Sequence, residues 1–526
     1  MKKHRWDCLE KLLFALITLL NLLPFLSVRF FPSLDGASHL MNANIINQIL
    51  IWHNDLFQQF FRLNPEPVPN WTTHFILAAL QLVFPAFVAE KILLTGILLG
   101  LPLAFRKMVG RLSPRNILYS YLIFPFSHSL FLFFGFYNFC IAVIFLILTL
   151  DQWLKYENQR LTVKSFMLLT FLIILTYFSH ILVFGVLLLI LGIRILARAA
   201  GESHIRSAGW GQLFREAGHK FLTLLEASLL PLSLFFYFFI SRPATHQTSY
   251  LPTRELLSGL GDIRSLIAFD HGRESRFTIL LLLLLFALLL FSFFRFLFRK
   301  STTSASSKSN LWLPLVIVAL VALYFILPNT YGTASFTSLR LSYLAFLFLI
   351  LWIPTLPLPR WSGIPAVIIA LYVNFSLLML YQPVIRDYSK IAISCNKASE
   401  FIQPNSLILP LNCSENWFTS HFLDYVAIDK PILLVYNYES ETGYFPVTWN
   451  DKRRPGFFIG NENKPSNFQL FRVRSDCFAY RVNYILILGT FTMKDDIFYA
   501  KLPKILAEEF TIAYRSEFCT LYKRKK

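Results

Sequence analysis

The stretch FPSLDGASHLMNANIINQIL, residues 31–50, sets Asp35, His39 and Asn42 four and then three residues apart. At 3.6 residues per turn the three side chains share one face of a helix. An ionised aspartate beside an imidazole can accept the proton of a hydroxyl nucleophile, the work of a general base. Pro32 and Ser33 read as the start of that helix and put Asp35 in its first turn, where the helix dipole favours a carboxylate on its own account. Catalysis and helix-end stabilisation are therefore both open readings of Asp35, but the second needs neither His39 nor Asn42. Asp55 follows 20 residues later, so a second carboxylate joins only if the chain folds back. No HExxH, paired CxxC, P-loop or GxSxG pattern occurs, which argues against a zinc hydrolase, a nucleotide-driven pump and a serine hydrolase.

Further candidates are scattered. Arg340 follows GTASFTSL and opens an apolar run. Its planar fork of donors suits a phosphate or pyrophosphate at headgroup depth, while snorkelling to lipid headgroups explains it equally well. Lys91, Arg254 and Arg273 carry the same two readings. His74 lies in the first long loop, and His180, in LTYFSHILVFG, falls between two apolar runs, facing a ligand or satisfied within a loop. Ionisable groups at a membrane face are costly unless they line a wet cavity. With His53, Asp55, Arg62, Asp262, Asp270 and His271 added, the concentration of such groups on one side predicts a cavity that opens outward.

The chain that must hold these residues is far more apolar than a soluble protein. Of its 526 residues 55% are hydrophobic, 55 are Phe, and mean hydropathy is +0.53, against about 45–50% apolar residues in ordinary domains. Runs such as TILLLLLLFALLLFSFFRFLF, 278–298, supply the roughly 20 nearly uncharged residues that cross a ~30 Å hydrocarbon layer as a helix, where a β-barrel would alternate. The formal charge of +19 comes from Lys and Arg in short clusters between apolar runs, the pattern of cytoplasmic loops and not of a nucleic-acid surface. With MKKHR inside, and the first apolar segment retained because it ends in no small-residue cleavage site, the charge rule predicts about eleven crossings over residues 1–382. They fall at 11–31, 88–106, 116–132, 137–152, two segments meeting near His180, 221–241, 278–298, 311–327, one descending to PRWSG, and 363–382.

The first outer loop, 32–87, contains ASHLMNANIINQILIW and TTHFILAALQLVF, read as amphipathic helices at the interface. Residues 383–526 change character: ASEFIQPNSLILPL, KPILLVYNYE, YRVNYILILGT and KLPKILAEEFTIAYRS predict strands alternating with short helices, a small α/β domain outside the membrane with a basic tail, YKRKK. Cys395, Cys413, Cys477 and Cys519 all lie there and fit one or two disulfides in an extracytoplasmic compartment, with three pairings open.

A first helix, an outer loop opening with an acid and a histidine on one helix, many further helices and an extracytoplasmic α/β domain together resemble the GT-C superfamily of integral-membrane glycosyltransferases. That superfamily includes the protein mannosyltransferases and the aminoarabinose transferases of lipid A. The stretches LDGASHLMNANI, NPEPVPNWTTH, FPAFVAEKILL and NYESETGYFP look most like members from Bacteroidota-type bacteria. The resemblance implies a multi-pass protein of the bacterial inner membrane with a cytoplasmic N-terminus and a periplasmic C-terminal domain. It implies a sugar donor on polyprenyl phosphate, a glycan, lipid or protein acceptor entering from the periplasm, and transfer with inversion. Asp35 takes the family's first-loop acid position as the base, Asn138 in FFGFYNF falls near a frequent second acid, and Arg340 meets the donor phosphate. His39, Asn42, His74, Lys91, His180, Arg254 and Arg273 complete the expected substrate contacts. Asp35-Gly36 stands where an acid pair is frequent and an amide stands at 138, so no metal ligand is assigned and a divalent ion is left open as a cofactor. No nucleic-acid partner is expected. Two other classes stay open: a lipid or polysaccharide transporter, which more often shows internal repeats and broken helices, and a catalytically silent membrane scaffold.

Overall fold

The computed structural model describes residues 2–157, 161–201, 210–241, 248–298, 310–332, 334–450, 457–458, 472–473, 482–490 and 497–525. The chain divides into two compact units. Among the described residues nine helices, from Cys8–Leu26 to Arg360–Phe401, are long and apolar enough to cross a membrane, and the shorter apolar helices Val163–Ser179 and Trp312–Ile326 occupy the two remaining expected spans.

The first unit comprises Met1–Leu23, Thr95–Leu132 and Tyr137–Tyr381. In it Trp312–Ile326 packs against Thr337–Trp352, and Tyr137–Glu157 against Val163–Ser179. The most apolar 18 residues of helix His271–Phe298 have a mean hydropathy of 2.9, yet only 33% of them are buried. So much exposed apolar surface on one helix is stable against lipid and not against water. The break expected near His180 falls between Val163–Ser179 and Ile181–Gly201. A short antiparallel pair, Thr248–Ser249 with Thr330–Tyr331, joins two loops that the charge pattern puts on one face. Among the described residues several basic side chains are paired with acids: Arg106 with Glu10, Arg111 and Lys107 with Asp151, and Arg194 and Arg198 with Glu157.

The second unit, Pro24–Leu94, Phe133–Phe136 and Gln382–Lys526, unites the first long loop with the C-terminal segment. Its elements include helices α1 (Gly36–Leu50), α2 (Thr72–Gln81) and α3 (Tyr438–Thr442), and strands β1 (Phe61–Leu63), β2 (Ser406–Asn412), β3 (Ile432–Leu434), β4 (Val447–Trp449), β5 (Tyr484–Leu488), β6 (Phe510–Arg515) and β7 (Cys519–Arg524). Five strands form one mixed sheet in the order β6-β7-β5-β2-β3. β2 runs parallel to β3 and β5, while β7 is antiparallel to β5 and β6. YILIL in β5 is buried at every position, as a continuous apolar run must be when both faces of a strand are covered. β1 pairs antiparallel with β4, with Phe61 stacked on Trp449 at 4.4 Å.

Three expectations change here. The stretch read as a basic tail enters a strand, because Tyr522, Lys523 and Arg524 belong to β7, the first two paired on both sides and Arg524 with Phe510. Of the four cysteines expected to form disulfides, Cys395 and Cys519 are free thiols, and Cys477 lies outside the described residues. Helix α1 is not amphipathic at an interface. It is buried from Gly36 to Gln48, packed on α2 and on the 3-10 helix Phe422–Ala427. Its amides are satisfied by protein: Asn44 donates to the carbonyls of Ala427 and Lys430 at 2.9 and 2.8 Å, and Asn47 to that of Ala78 at 2.9 Å.

Candidate functional site

In the second unit, parallel strands β2 and β3 each lead from their C-terminal ends into a connection, where α/β sheets present side chains for binding. The connection after β2 carries His421 and Asp424. The one after β3 carries α3, fixed at both ends by local chemistry. The Asn437 side chain accepts from the Ser440 backbone N–H at 3.2 Å, and Gly443 ends the helix at φ +66°, the left-handed stop that glycine favours. This single turn places Glu439 in full burial.

Glu439 meets two histidines from the first loop. Its Oε1 lies 2.6 Å from His39 Nδ1 and its Oε2 lies 2.8 Å from His74 Nε2, while the two ring nitrogens are 3.2 Å apart. The outer nitrogens donate to backbone carbonyls, His39 Nε2 to Gly135 at 2.8 Å and His74 Nδ1 to Asn70 at 3.0 Å. Phe445 packs on both rings. Burial opposes charge on every member. The Glu439 carboxylate nevertheless holds His39 above the ordinary histidine value, while His74 stays below it, pressed by burial and by His39. Glu439 itself is held down to about 2, burial being outweighed by the two imidazoles. A proton on His39 Nδ1 would satisfy its contact with Glu439 Oε1. The three inner ligand atoms lie within 4.8 Å of one another, a set able to hold a metal ion.

Asp35 stands immediately before α1 and not in its first turn. Ser33 Oγ takes the local capping bond, from the Gly36 N–H at 3.1 Å, and the Asp35 carboxylate makes no capping bond. The Asp35 N–H donates to the Phe134 carbonyl at 3.2 Å, which brings in Gly135. That residue is at φ +77°, and a Cβ there would fall 2.9 Å from the nitrogens of Asp35 and Gly36, so only glycine allows the approach. The carboxylate is 14% exposed, with Oδ1 3.7 Å from His421 Nε2. His421 stacks on Tyr438 at 4.2 Å, and burial pushes it down to about 4, a neutral imidazole. Beside them Asp424, in contact with the Ser38 hydroxyl, is pushed up to about 8, by burial first and then by the charges of Glu439 and Asp35.

The structure therefore gathers Asp35, His39, Asn42 and His74 in one polar core. Asn42 exchanges amide bonds with Asn437 at 2.8 and 3.3 Å and donates to the Ser38 carbonyl at 2.9 Å, which ties α1 to the start of α3. Lys91 lies elsewhere in the same unit, over the Phe87 ring at 6.0 Å. In the first unit His180 and Arg340 form a second group around Phe139, whose ring is 5.8 Å from the guanidinium and 5.3 Å from the imidazole; Asn138, next to Phe139 in the chain, is buried. Arg254 sits apart on Thr253–Gly261, and Arg273, well exposed, pairs with Asp270 at 3.4 Å. An open surface pocket of about 550 Å³ is lined by Trp52, His53 and Asp55 among others, none of them part of the polar core. Glu439, His421 and Asp424 escape sequence reading. The one local clue is the Asn437 cap and Gly443 stop, which mark a short helix carrying an acid between aromatic residues.

No protein-family model matches the sequence, and no curated protein matches it. Among solved structures, the crystal structure of ArnT from Cupriavidus metallidurans in the apo state aligns with 99% of this chain and 98% of its own, at a TM-score of 0.55 and 10% sequence identity. At that identity the likeness is one of fold. The chain shares the polytopic helical fold of that structure.

Proposed function

We propose that this protein transfers a sugar from a polyprenyl-phosphate donor to a hydroxyl-bearing periplasmic acceptor, with Asp35 as the general base. The observation that carries the reading is the state of that carboxylate: it stands at the start of α1, makes no capping bond, keeps 14% of its surface exposed and has the neutral His421 at 3.7 Å. The acceptor O–H gives its proton to Asp35 as the oxygen attacks the anomeric carbon from the face opposite the phosphate. The bond from that carbon to the phosphate oxygen breaks, polyprenyl phosphate leaves, and the configuration inverts. Lipid phosphate is a fair leaving group and needs chiefly positive charge nearby. Arg340 is the proposed source, its Nη1 donating to the Ser335 carbonyl at 2.5 Å with the Phe139 face beneath it. The fold likeness to ArnT supports the lipid-linked donor class and a multi-pass location in the inner membrane, and the charge pattern supports a periplasmic C-terminal segment.

The test is Asp35→Asn in the purified full chain, assayed for transfer from a polyprenyl-phosphate-linked sugar. A general base supplies about 10²–10⁴-fold, and a loss of that size at unchanged thermal midpoint is expected. Transfer within a few-fold of wild type removes Asp35 from the mechanism.

A further inference from the structure

We propose that His39, His74 and Glu439 bind one divalent transition-metal ion of the zinc class. The inference stands apart from sugar transfer and rests on the direction of hydrogen bonds. His39 Nε2 and His74 Nδ1 are committed as donors to the carbonyls of Gly135 and Asn70. In the neutral rings this leaves His39 Nδ1 and His74 Nε2 as lone-pair atoms, and they face each other at 3.2 Å. The third group, Glu439, is an acceptor too, 2.6 and 2.8 Å from those nitrogens and with no exposed side-chain surface. Three acceptors in mutual contact repel unless positive charge sits among them. One proton serves the His39–Glu439 contact and leaves His74 Nε2 against Glu439 Oε2. One divalent cation serves all three at once.

The surroundings are those of a metal site. Ligating histidines characteristically donate their outer N–H to a carbonyl, which fixes the tautomer that aims the lone pair inward. Tetrahedral ligands at about 2.0–2.1 Å from zinc stand roughly 3.3 Å apart, and the two nitrogens are at 3.2 Å. Glu439 has to withdraw by about half an ångström to reach the same spacing. Two imidazoles and one carboxylate are the ligand set of zinc sites that keep a fourth position open, and imidazole also suits copper, iron and nickel. Held this way, the ion clamps α1, α2 and α3 together.

The experiment uses the full chain in detergent. Metal content is measured by mass spectrometry after purification without chelator, and the chelator-stripped protein is titrated with zinc by calorimetry. About one zinc per chain is expected, with the thermal midpoint raised on rebinding and occupancy falling at least tenfold in His74→Ala and Glu439→Gln. X-ray absorption at the zinc edge of the wild type needs no variant and should show two imidazoles, an oxygen ligand and no sulfur. A stripped wild type that takes up no zinc, zinc bound equally by both variants, or sulfur in the shell overturns the assignment.

Discussion

Asp424 offers the most direct test of the electrostatics of the polar core. The residue is 2% exposed and its carboxyl is pushed up to about 8 by burial, reinforced by the charges of Glu439 and Asp35. In the unfolded chain an aspartate titrates near 3.9. The folded group thus keeps its proton over a range in which the unfolded one has lost it, so stability falls as pH rises from about 4 and levels off above about 8. At 1.36 kcal/mol per unit, a difference of about four units is on the order of 5 kcal/mol between the two ends. Asp424→Asn keeps the shape of the protonated acid, can still meet the Ser38 hydroxyl, and does not ionise. The variant should match or fall slightly below wild type near pH 5 and exceed it near pH 8. Thermal midpoints in detergent across that range read the effect without any substrate. Parallel curves for the two proteins would refute the reasoning, since they would mean that Asp424 is ionised in the folded core or has little influence on it.

Two further substitutions probe contacts inside each unit. Gly135→Ala places a methyl group 2.9 Å from two backbone nitrogens at φ +77°; left-handed strain of about 1–2 kcal/mol and a weakened His39 bond worth about 1 kcal/mol should lower the thermal midpoint, and an unchanged midpoint sinks the close-approach argument. In the first unit, Glu157 accepts from Arg194 at 2.6 and 3.0 Å, from Arg198 at 3.2 Å and from Trp153 at 2.9 Å. Glu157→Gln strands buried positive charge, which typically costs about 3–5 kcal/mol; folded yield should drop sharply, and wild-type yield at wild-type midpoint contradicts it.

The apolar spans were legible because their signal is local: length and lack of charge at 278–298 suffice to place His271–Phe298. β5 was legible in YRVNYILILGT for the same reason. β7 was not, because its Lys523 and Arg524 look like a tail until β6 and β5 are seen on either side. α1 was readable as a helix from the spacing of Asp35, His39 and Asn42, but its surroundings were not. The groups that bury it, Asp424, Asn437 and Glu439, lie almost four hundred residues along the chain, and periodicity carries no information about such partners. The helix start shows the limit on the finest scale. Whether Ser33 or Asp35 caps the first turn decides if a carboxylate is spent on structure, and both residue types are good caps.

The polar core places three carboxyl groups of the second unit, Asp35, Asp424 and Glu439, close enough that their charges are felt by one another or by the same histidine. Identical chemistry is driven apart by environment, the way one fold separates acid and base tasks. Glu439 is ionised and consumed by two imidazoles at 2.6 and 2.8 Å. Asp424 is sealed beside Ser38 and holds its proton. Asp35 alone of the three keeps appreciable side-chain exposure, 14% against none for Glu439. If a metal ion replaces the proton on His39, it brings a fixed positive charge within one helical turn of Asp35, because His39 is four residues further along α1. Positive charge there favours the ionised carboxylate. The metal site and the proposed base are therefore coupled through α1, and stripping the ion should shift the acid limb of any transfer activity to higher pH while leaving Asp35→Asn insensitive to chelator.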